Sequence, residues 1–357
     1  MRVALIGPPQ SGKSTLFAAV AEAGGSHIDL SRPDQAHLAV VKVPDERLEY
    51  LSELHKPKKT TPAELEFIDV PGLDLADEAA RTHARTHWPA MRQSDMLVAV
   101  LREFDSPTVP AYRGRVAPAA DAEELLAEML FADLDQVTTR IQKLEASLRK
   151  PSADREHQQH ELELMKRLAE ALEAERPVAE AVHGEGEAKL LRSFAMLSLK
   201  PMLAVLNCSE KAMDQPAGER LGSLPCLRLS AKIEEELARL APDERAEFLA
   251  DLNLSAPARD RLVRACCERM GLMSFFTTDG DECRAWTVPE GTDAVTAAGQ
   301  IHSDMARGFI RAETISYEDL RACNGDMKAA RAAGKVRLEG KSHEVHDGDV
   351  IHFRFNV

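Results

Sequence analysis

The sequence has no excess of positive charge. Its 45 lysines and arginines face 59 aspartates and glutamates, for a formal net charge of −14 at pH 7. That excludes a globally basic nucleic-acid binder and leaves only local basic patches. No apolar run reaches the roughly 18 residues of a membrane helix, so neither a membrane nor DNA is expected as a partner. The six cysteines form no C-x-x-C pair, and no histidine follows them at zinc-finger spacing. They read as reduced thiols of a cytoplasmic protein, with Cys266 and Cys267 as core filler in a helix-like stretch. Aromatic residues are scarce at 4%, yet 44% of the chain is hydrophobic, which excludes a wholly disordered chain. At about 150 residues per domain, 357 residues suggest two or three domains.

What is present begins at once, with no signal-peptide layout before it. Arg2 to Ile6 is a short β-like apolar run, followed by Gly7-Pro8-Pro9-Gln10-Ser11-Gly12-Lys13-Ser14 and a helix opening at Thr15. Strand, glycine loop and helix are the context that makes G-x-x-x-x-G-K-S a phosphate-binding loop. Gly7 and Gly12 let the backbone wrap a phosphate and aim N–H groups at it, and the helix N-terminus adds partial positive charge. Lys13 is assigned to the β- and γ-phosphates and Ser14 to Mg²⁺, with Gly7 to Thr15 as a whole nucleotide-binding.

A second carboxylate is needed on the metal side. Ala63 to Val70 reads as a strand ending at Asp69, and Asp69-Val70-Pro71-Gly72 is the D-x-P-G of GTPase-type switch loops. Asp69 is expected to hold Mg²⁺, and Gly72 to offer its N–H to the γ-phosphate, placing it with Lys13 among the catalytic groups. Where Ras-like enzymes carry a water-orienting glutamine, this chain has Leu73, which cannot hydrogen-bond a water. Further on, the strand-like Met202 to Leu206 leads into Asn207-Cys208-Ser209-Glu210 in place of N-K-x-D. The lysine is missing and glutamate replaces aspartate, which argues against tight guanine selectivity. An asparagine amide can pair with adenine N6 and N7, so Asn207 and Glu210 are assigned to the base. Ser230-Ala231-Lys232, after another strand, is assigned to the last loop around it.

These motifs resemble the YchF/Obg-like ATPase family of the P-loop GTPase class. The likeness runs in order through nearly the whole chain. It includes Val43-Pro44-Asp45-Glu46-Arg47-Leu48, Lys56-Pro57-Lys58-Lys59-Thr60, Ser274-Phe275-Phe276-Thr277 and Asp347-Gly348-Asp349-Val350-Ile351-His352-Phe353-Arg354-Phe355-Asn356-Val357. The resemblance implies an α/β P-loop NTPase G domain with an inserted α-helical coiled-coil hairpin. It also implies a C-terminal β-grasp (TGS, ubiquitin-like) domain, ATP hydrolysis at least as good as GTP hydrolysis, and association with ribosomes, chiefly the large subunit. The implied boundaries are 1–120 and 196–273 for the G domain, 121–195 for the insertion and 274–357 for the TGS domain. Four departures bear on catalysis. Gln10 stands where the family usually has asparagine, and Leu30 at a switch I threonine, for which Asp29 or Ser31 would have to substitute. The stretch from Leu73 to Ala80 lacks the switch II glycines and is expected to be more helical. Ala111 stands where the family has a loop histidine. His83 and His87 are the candidates to stand in, the alternative being plain surface residues.

Leu126, Leu130, Leu134, Val137, Ile141, Leu144 and Leu148 fall in steps of 4, 4, 3, 4, 3 and 4, a heptad seam. After a break at Lys150-Pro151-Ser152, Leu162, Met165, Leu168 and Leu172 continue it, predicting an antiparallel hairpin of helices about 30–40 Å long. His183 to Gly186 reads as a linker, and Ala231 to Met270 as helical. Lys56 to Lys59, Arg81, Arg85 and Arg92, with Arg307, Arg311, Lys335, Arg337 and Lys341 near the C-terminus, are candidates for ribosomal RNA backbone contact, or solvated surface. The expected function is Mg²⁺-dependent binding and weak hydrolysis of ATP or GTP by a ribosome-associated regulatory protein. A rival is a non-hydrolysing, nucleotide-sensing scaffold that docks a partner through its coiled coil and TGS domain. A metabolic P-loop kinase is disfavoured by D-x-P-G and S-A-K.

Overall fold

The computed structural model describes residues 1–23, 36–150, 154–176, 178–213, 220–252, 254, 256–278 and 281–356. Asp29, Leu30 and Ser31, and the break at 151–153, lie outside them. The first part of the chain supplies β1 (Arg2–Ile6), β2 (His37–Lys42), β3 (Lys59–Thr61), β4 (Glu64–Asp69), β5 (Met96–Glu103), β6 (Met202–Cys208), β7 (Arg220–Leu221) and β8 (Leu224–Leu229). The C-terminal part supplies β9 (Leu272–Thr277), β10 (Glu282–Pro289), β11 (Phe309–Ser316), β12 (Arg337–Glu339) and β13 (Asp349–Phe355). Among the described residues these form two sheets, in the orders β2-β4-β1-β5-β6-β8-β7 and β12-β11-β13-β9-β10-β3.

In the first sheet, β4, β1, β5, β6 and β8 run parallel, and the edge strands β2 and β7 are antiparallel to their neighbours. Central parallel strands are covered on both faces, which is why β5 and β6 read as continuous apolar runs while β2 alternates. Helices α1 (Lys13–Ala23), α2 (Glu46–His55), α3 (Glu78–Arg85) and α4 (Trp88–Arg92) follow within this part. Leu73 to Asp77 is not helical: α3 begins only at Glu78, where the Asp77 side chain caps the Ala80 N–H, so the expected helical switch II starts five residues later.

The insertion is α5 (Pro118–Leu148), α6 (Arg155–Glu173) and α7 (Gly184–Phe194). Val137 and Leu144 of the heptad seam are buried with Met165, Leu168 and Leu172 in one cluster, and Leu130, Leu134, Ile141 and Leu162 pack against it. At 31 residues α5 is about 46 Å long, longer than expected, because it starts at Pro118, beneath the first sheet. Gly184 and Gly186 are in the first turn of α7 rather than in a linker. Ala231 to Met270 resolves into α8 (Ala231–Arg239), α9 (Pro242–Asp251) and α10 (Ala258–Arg269). Cys266 is fully buried in α10, and all six cysteines are free thiols. Burial pushes the Cys267 thiol up to about 11, so neither neighbour is a nucleophile at neutral pH.

The second sheet is not closed off from the first part. β3 leaves it to pair in parallel with β10, and Leu48 and Leu51 of α2 share a buried cluster with Phe276, Cys283, Tyr317 and Val350. The Arg47 guanidinium reaches Asp347 at 2.6 Å and Asp45 at 2.9 Å. Several of the basic residues singled out for RNA are thereby spent: Lys58 pairs with Asp281 at 2.7 Å and Lys59 with Glu282 at 3.2 Å. Arg81 and Arg85 pair with Glu128, Arg92 with Asp133, Arg307 with Asp304, Lys335 with Asp319 and Arg337 with Glu339. Arg81, Arg85 and Arg92 thereby join α3 and α4 to α5, which composition alone does not reveal.

Candidate nucleotide site

The motif residues converge at the carboxyl ends of the parallel strands, where open α/β sheets bind ligands. The Gly7–Ser14 loop follows β1, Asp69 ends β4, Asn207 lies near the end of β6, and Ser230 follows β8. The chain turns outward from β1 to β4 on one side and β5 on the other, leaving the loop in the crevice between.

Lys13 and Asp69 are both buried, with Nζ 2.5 Å from Oδ1. Ser14 is exposed beside them. A cavity of about 620 Å³ opens over this pair, walled by the loop, Pro71, Gly72, His83, Phe104 and Val109. A second cavity of about 450 Å³ shares Gly12, Thr15 and Phe104 with the first, and runs between Ser209–Lys211, Ala231–Ile233 and the 105–107 segment. The result is one elongated cleft with a cationic, amide-lined end and a second end at the base-loop motifs.

The glycines are required by contact as well as conformation. Gly12 has φ +84, and a Cβ there would fall 2.1 Å from the Asn207 amide nitrogen. Gly72 lies so close to Pro9 that a Cβ would meet its Cα at 3.1 Å. Gln10 adopts φ 61, a left-handed conformation that costs a glutamine more than an asparagine. Leu73 is buried and faces the core, and its N–H donates to the Gly7 carbonyl at 2.9 Å. It braces the loop from below and does not line the cleft.

Asn207 makes two contacts that its assignment to the base did not foresee. Its amide nitrogen donates to the Ser11 carbonyl at 2.9 Å, and its amide oxygen accepts the Ala231 N–H at 2.9 Å. Both bonds go to backbone, so the side chain ties the phosphate loop to the base loop, while its second N–H is not used in them and Asn207 also lines the second cavity. Ser230 and Ala231 are likewise structural: the Ser230 hydroxyl caps α8, and the Ala231 N–H is held by Asn207. Exposed Glu210 and Lys232 remain on the cleft wall. Asn207→Ala is therefore expected to weaken ATP and GTP alike, by about tenfold for one lost bridging network, with the ATP:GTP ratio unchanged. Paired binding isotherms check this, and a changed ratio would return Asn207 to the base.

Arg102 and Phe104 escaped the motif reading. Buried Arg102 donates to the carbonyls of Phe104 at 2.9 Å, Val109 at 2.9 Å and Pro110 at 3.0 Å, and stacks 4.4 Å over the Phe104 ring. It shapes the 104–110 segment into a roof over both cavities. An arginine at the end of an otherwise apolar strand was the available signal. Glu103 and Arg228 pair at 2.7 Å across β5 and β8, behind the base loop. His83, one of two stand-in candidates, lines the phosphate cavity, with its ring 5.7 Å from that of His87. Burial, then the charges of His83 and Lys13, hold His87 below the ordinary histidine range. Ala111 offers the cleft no polar group.

Comparison with known proteins agrees with this geometry. A family model described as a 50S ribosome-binding GTPase matches residues 2–132. The model of the YchF-type GTPase C-terminal region, described as a protein of unknown function (DUF933), matches residues 272–356. The "Ribosome-binding ATPase YchF" of Bacillus subtilis is 38% identical over 99% of this chain and 98% of its own length. The "Obg-like ATPase 1" of Oryza sativa subsp. japonica is 32% identical over 100% of this chain and 92% of its own. The chain belongs to the YchF/Obg-like ATPase family. The solved structure of the Schizosaccharomyces pombe YchF GTPase superposes with a TM-score of 0.84 at 26% identity, covering 99% of this chain and 97% of that one. The P-loop G domain in this architecture is thus the family's.

Proposed function

We propose that this YchF-family protein binds ATP or GTP with Mg²⁺ in the cleft, hydrolyses it slowly, and acts in the cytoplasm on the large ribosomal subunit. The observation that carries the reading is the buried Lys13–Asp69 pair beneath the glycine loop. A phosphate chain offers the ammonium a stronger partner, and a dication offers the carboxylate one.

The residues present fit Mg²⁺. Ser14 hydroxyl and Asp69 carboxylate are hard oxygen donors, as that ion prefers. The Ser11 hydroxyl in the same loop is buried with no hydrogen-bond partner, a polar atom a phosphate oxygen would satisfy. Ser14 and Asp69 would hold the ion, which would supply charge neutralisation for the phosphate oxygens. The Gly7–Thr15 backbone orients the phosphates, the Gly72 N–H is directed to the γ-phosphate, and the 104–110 roof limits water. Glu210 and Lys232 contact the base. Nucleotide contact at Gly72 couples to Leu73 and through it to the core, the route by which a bound γ-phosphate orders the switch.

His83 is the side chain placed to orient an attacking water, since Leu73 is buried and Ala111 is apolar. The ribosome is supported by the name of the Bacillus subtilis relative, and its large subunit by the description of the family model for 2–132. Exposed Lys56, Arg311 and Lys341 are the basic candidates left to meet rRNA backbone.

Single-turnover release of γ-phosphate, with and without 50S subunits, tests the proposal. Slow release is expected, with His83→Ala lowering the rate about 10- to 100-fold at unchanged nucleotide affinity. No release in either condition, with binding intact, would establish the non-hydrolysing scaffold instead.

A further inference from the structure

The loop between β12 and β13 carries His343 and His346, and Asp349 opens β13, spaced H-x-x-H-x-x-D and outside the nucleotide motifs. One imidazole nitrogen of each histidine and one carboxylate oxygen of Asp349 all lie within 4.8 Å of one another. We propose that these three side chains form a binding site for a divalent transition-metal ion of the zinc class.

Three observations support it. The first is the donor set: two imidazoles and a carboxylate suit Zn²⁺ and its first-row neighbours rather than Mg²⁺ or Ca²⁺, which prefer all-oxygen shells. The second is a half-built second shell. His343 Nδ1 faces Glu339 Oε2 at 3.4 Å, and His343 Nε2 is buried without a hydrogen-bond partner. A carboxylate on one ring nitrogen fixes the tautomer and leaves the other nitrogen's lone pair for a metal.

The third is the frame. The Ala294 N–H donates to the His343 carbonyl at 2.8 Å, and the Val345 N–H to the Thr292 carbonyl at 2.9 Å. The His346 N–H donates to Asp349 Oδ2 at 3.0 Å, and the Asp349 N–H returns to the His346 carbonyl at 3.1 Å. The ligands therefore start on pinned backbone. Asp349 is 2% exposed, while the His346 side chain is 65% exposed and free to swing. Metal bonds of about 2.0–2.2 Å place tetrahedral ligands about 3.4 Å apart, so closure asks for a movement of about 1 Å, mostly at His346. Arg337 approaches Asp349 Oδ1 at 3.8 Å and is the competing cation, and it also pairs with Glu339 at 3.3 Å.

An ion here would stiffen the turn that carries Asp347, whose carboxylate accepts the Ser274 N–H at 2.8 Å and pairs with Arg47 of α2. The site is structural in kind, because its ligands lie on the turn that joins β12 to β13 and at the start of β13. It is independent of the nucleotide reading, and its failure would leave that reading untouched.

The experiment uses the full chain, stripped with a chelator and held in excess Mg²⁺. Zn²⁺ is titrated by calorimetry and Co²⁺ by its visible absorption. One equivalent of each is expected, lost in His346→Gln and in His343→Gln, and weakened about 10- to 100-fold in Glu339→Gln. His302→Gln, an exposed histidine elsewhere in the same domain, leaves it unchanged. Because His346 is on the surface, His346→Gln should keep the wild-type melting temperature in the metal-free state, so its loss of binding is read on a folded protein. Absence of a stoichiometric equivalent in the unmodified chain, or its persistence in His346→Gln, overturns the proposal.

Discussion

Replacing Lys13 by alanine is expected to abolish Mg²⁺-dependent affinity for ATP and GTP at working concentrations. The ammonium is buried under the loop, where solvent screens little, so its contact with phosphate is desolvated. Truncating one member of a buried charge pair costs about 2–5 kcal/mol, or about 30- to several-thousand-fold in affinity. The substitution also strands the Asp69 carboxylate, which is 4% exposed and otherwise 2.5 Å from the ammonium. A fall in melting temperature is therefore expected alongside the loss of binding. Adding Asp69→Asn separates the two effects: it should restore much of the stability and none of the affinity. Calorimetric titration with both nucleotides, with thermal unfolding beside it, reads both. A Lys13→Ala protein that binds Mg·ATP like the unmodified chain would remove the basis of the functional reading.

Asp133→Ala is expected to be the most destabilising single substitution away from the cleft. Asp133 lies in the middle of α5 and is fully buried. Its two oxygens accept from Arg92 at 2.8 Å, from the Leu197 N–H at 3.0 Å, and from the Ser198 N–H and hydroxyl at 2.8 and 2.7 Å. The carboxylate thus bolts the helical insertion to α4 and to the segment that returns the chain to β6. Removing it leaves a largely buried guanidinium without its counter-charge, held only by the Ala132 and Ala195 carbonyls, and two backbone donors unpaired, at a cost of about 3–5 kcal/mol. For a protein of this size that lowers the melting temperature by on the order of 10 °C. Asp133→Asn keeps some of the acceptors and should lose less. Nucleotide affinity below the transition should not change, because Asp133 touches none of the cleft residues. A shift of under about 1 °C would show that the hairpin is anchored by its apolar seam alone.

Much of the candidate site was legible before any coordinates. Gly7 to Ser14 and Asp69 to Gly72 are contiguous motifs, and their function depends on backbone conformation and on residue types at short range. The structure places Lys13 against Asp69 across 56 positions of sequence, as the pairing of the two motifs implied. The heptad steps likewise announced the hairpin, because a period of 3.5 needs only local geometry to bury one side. Roles that rest on which atom faces where were not legible. Asn207 sits at the position of a base reader, and no motif showed that its amide also bonds the Ser11 and Ala231 backbone. Leu73 was visible as the absence of a glutamine, but not as a residue of the core.

What the sequence alone determined is the class of chemistry: a glycine-rich loop with its lysine, the aspartate that ends a strand, and the order of strands and helices that presents both at one sheet edge. Those features follow from propensity, periodicity and spacing, which act over a few residues. Only the tertiary structure decided which polar groups remain available. It set Asn207 between the phosphate and base loops, Lys58 and Lys59 against Asp281 and Glu282, and Asp133 as an interior bolt. It left His83 open to the cleft and gathered two histidines and an aspartate beside β13. The reason is physical: a hydrogen bond or ion pair is settled by atoms brought within about 3 Å from distant parts of the chain, and no local pattern encodes which of them will meet.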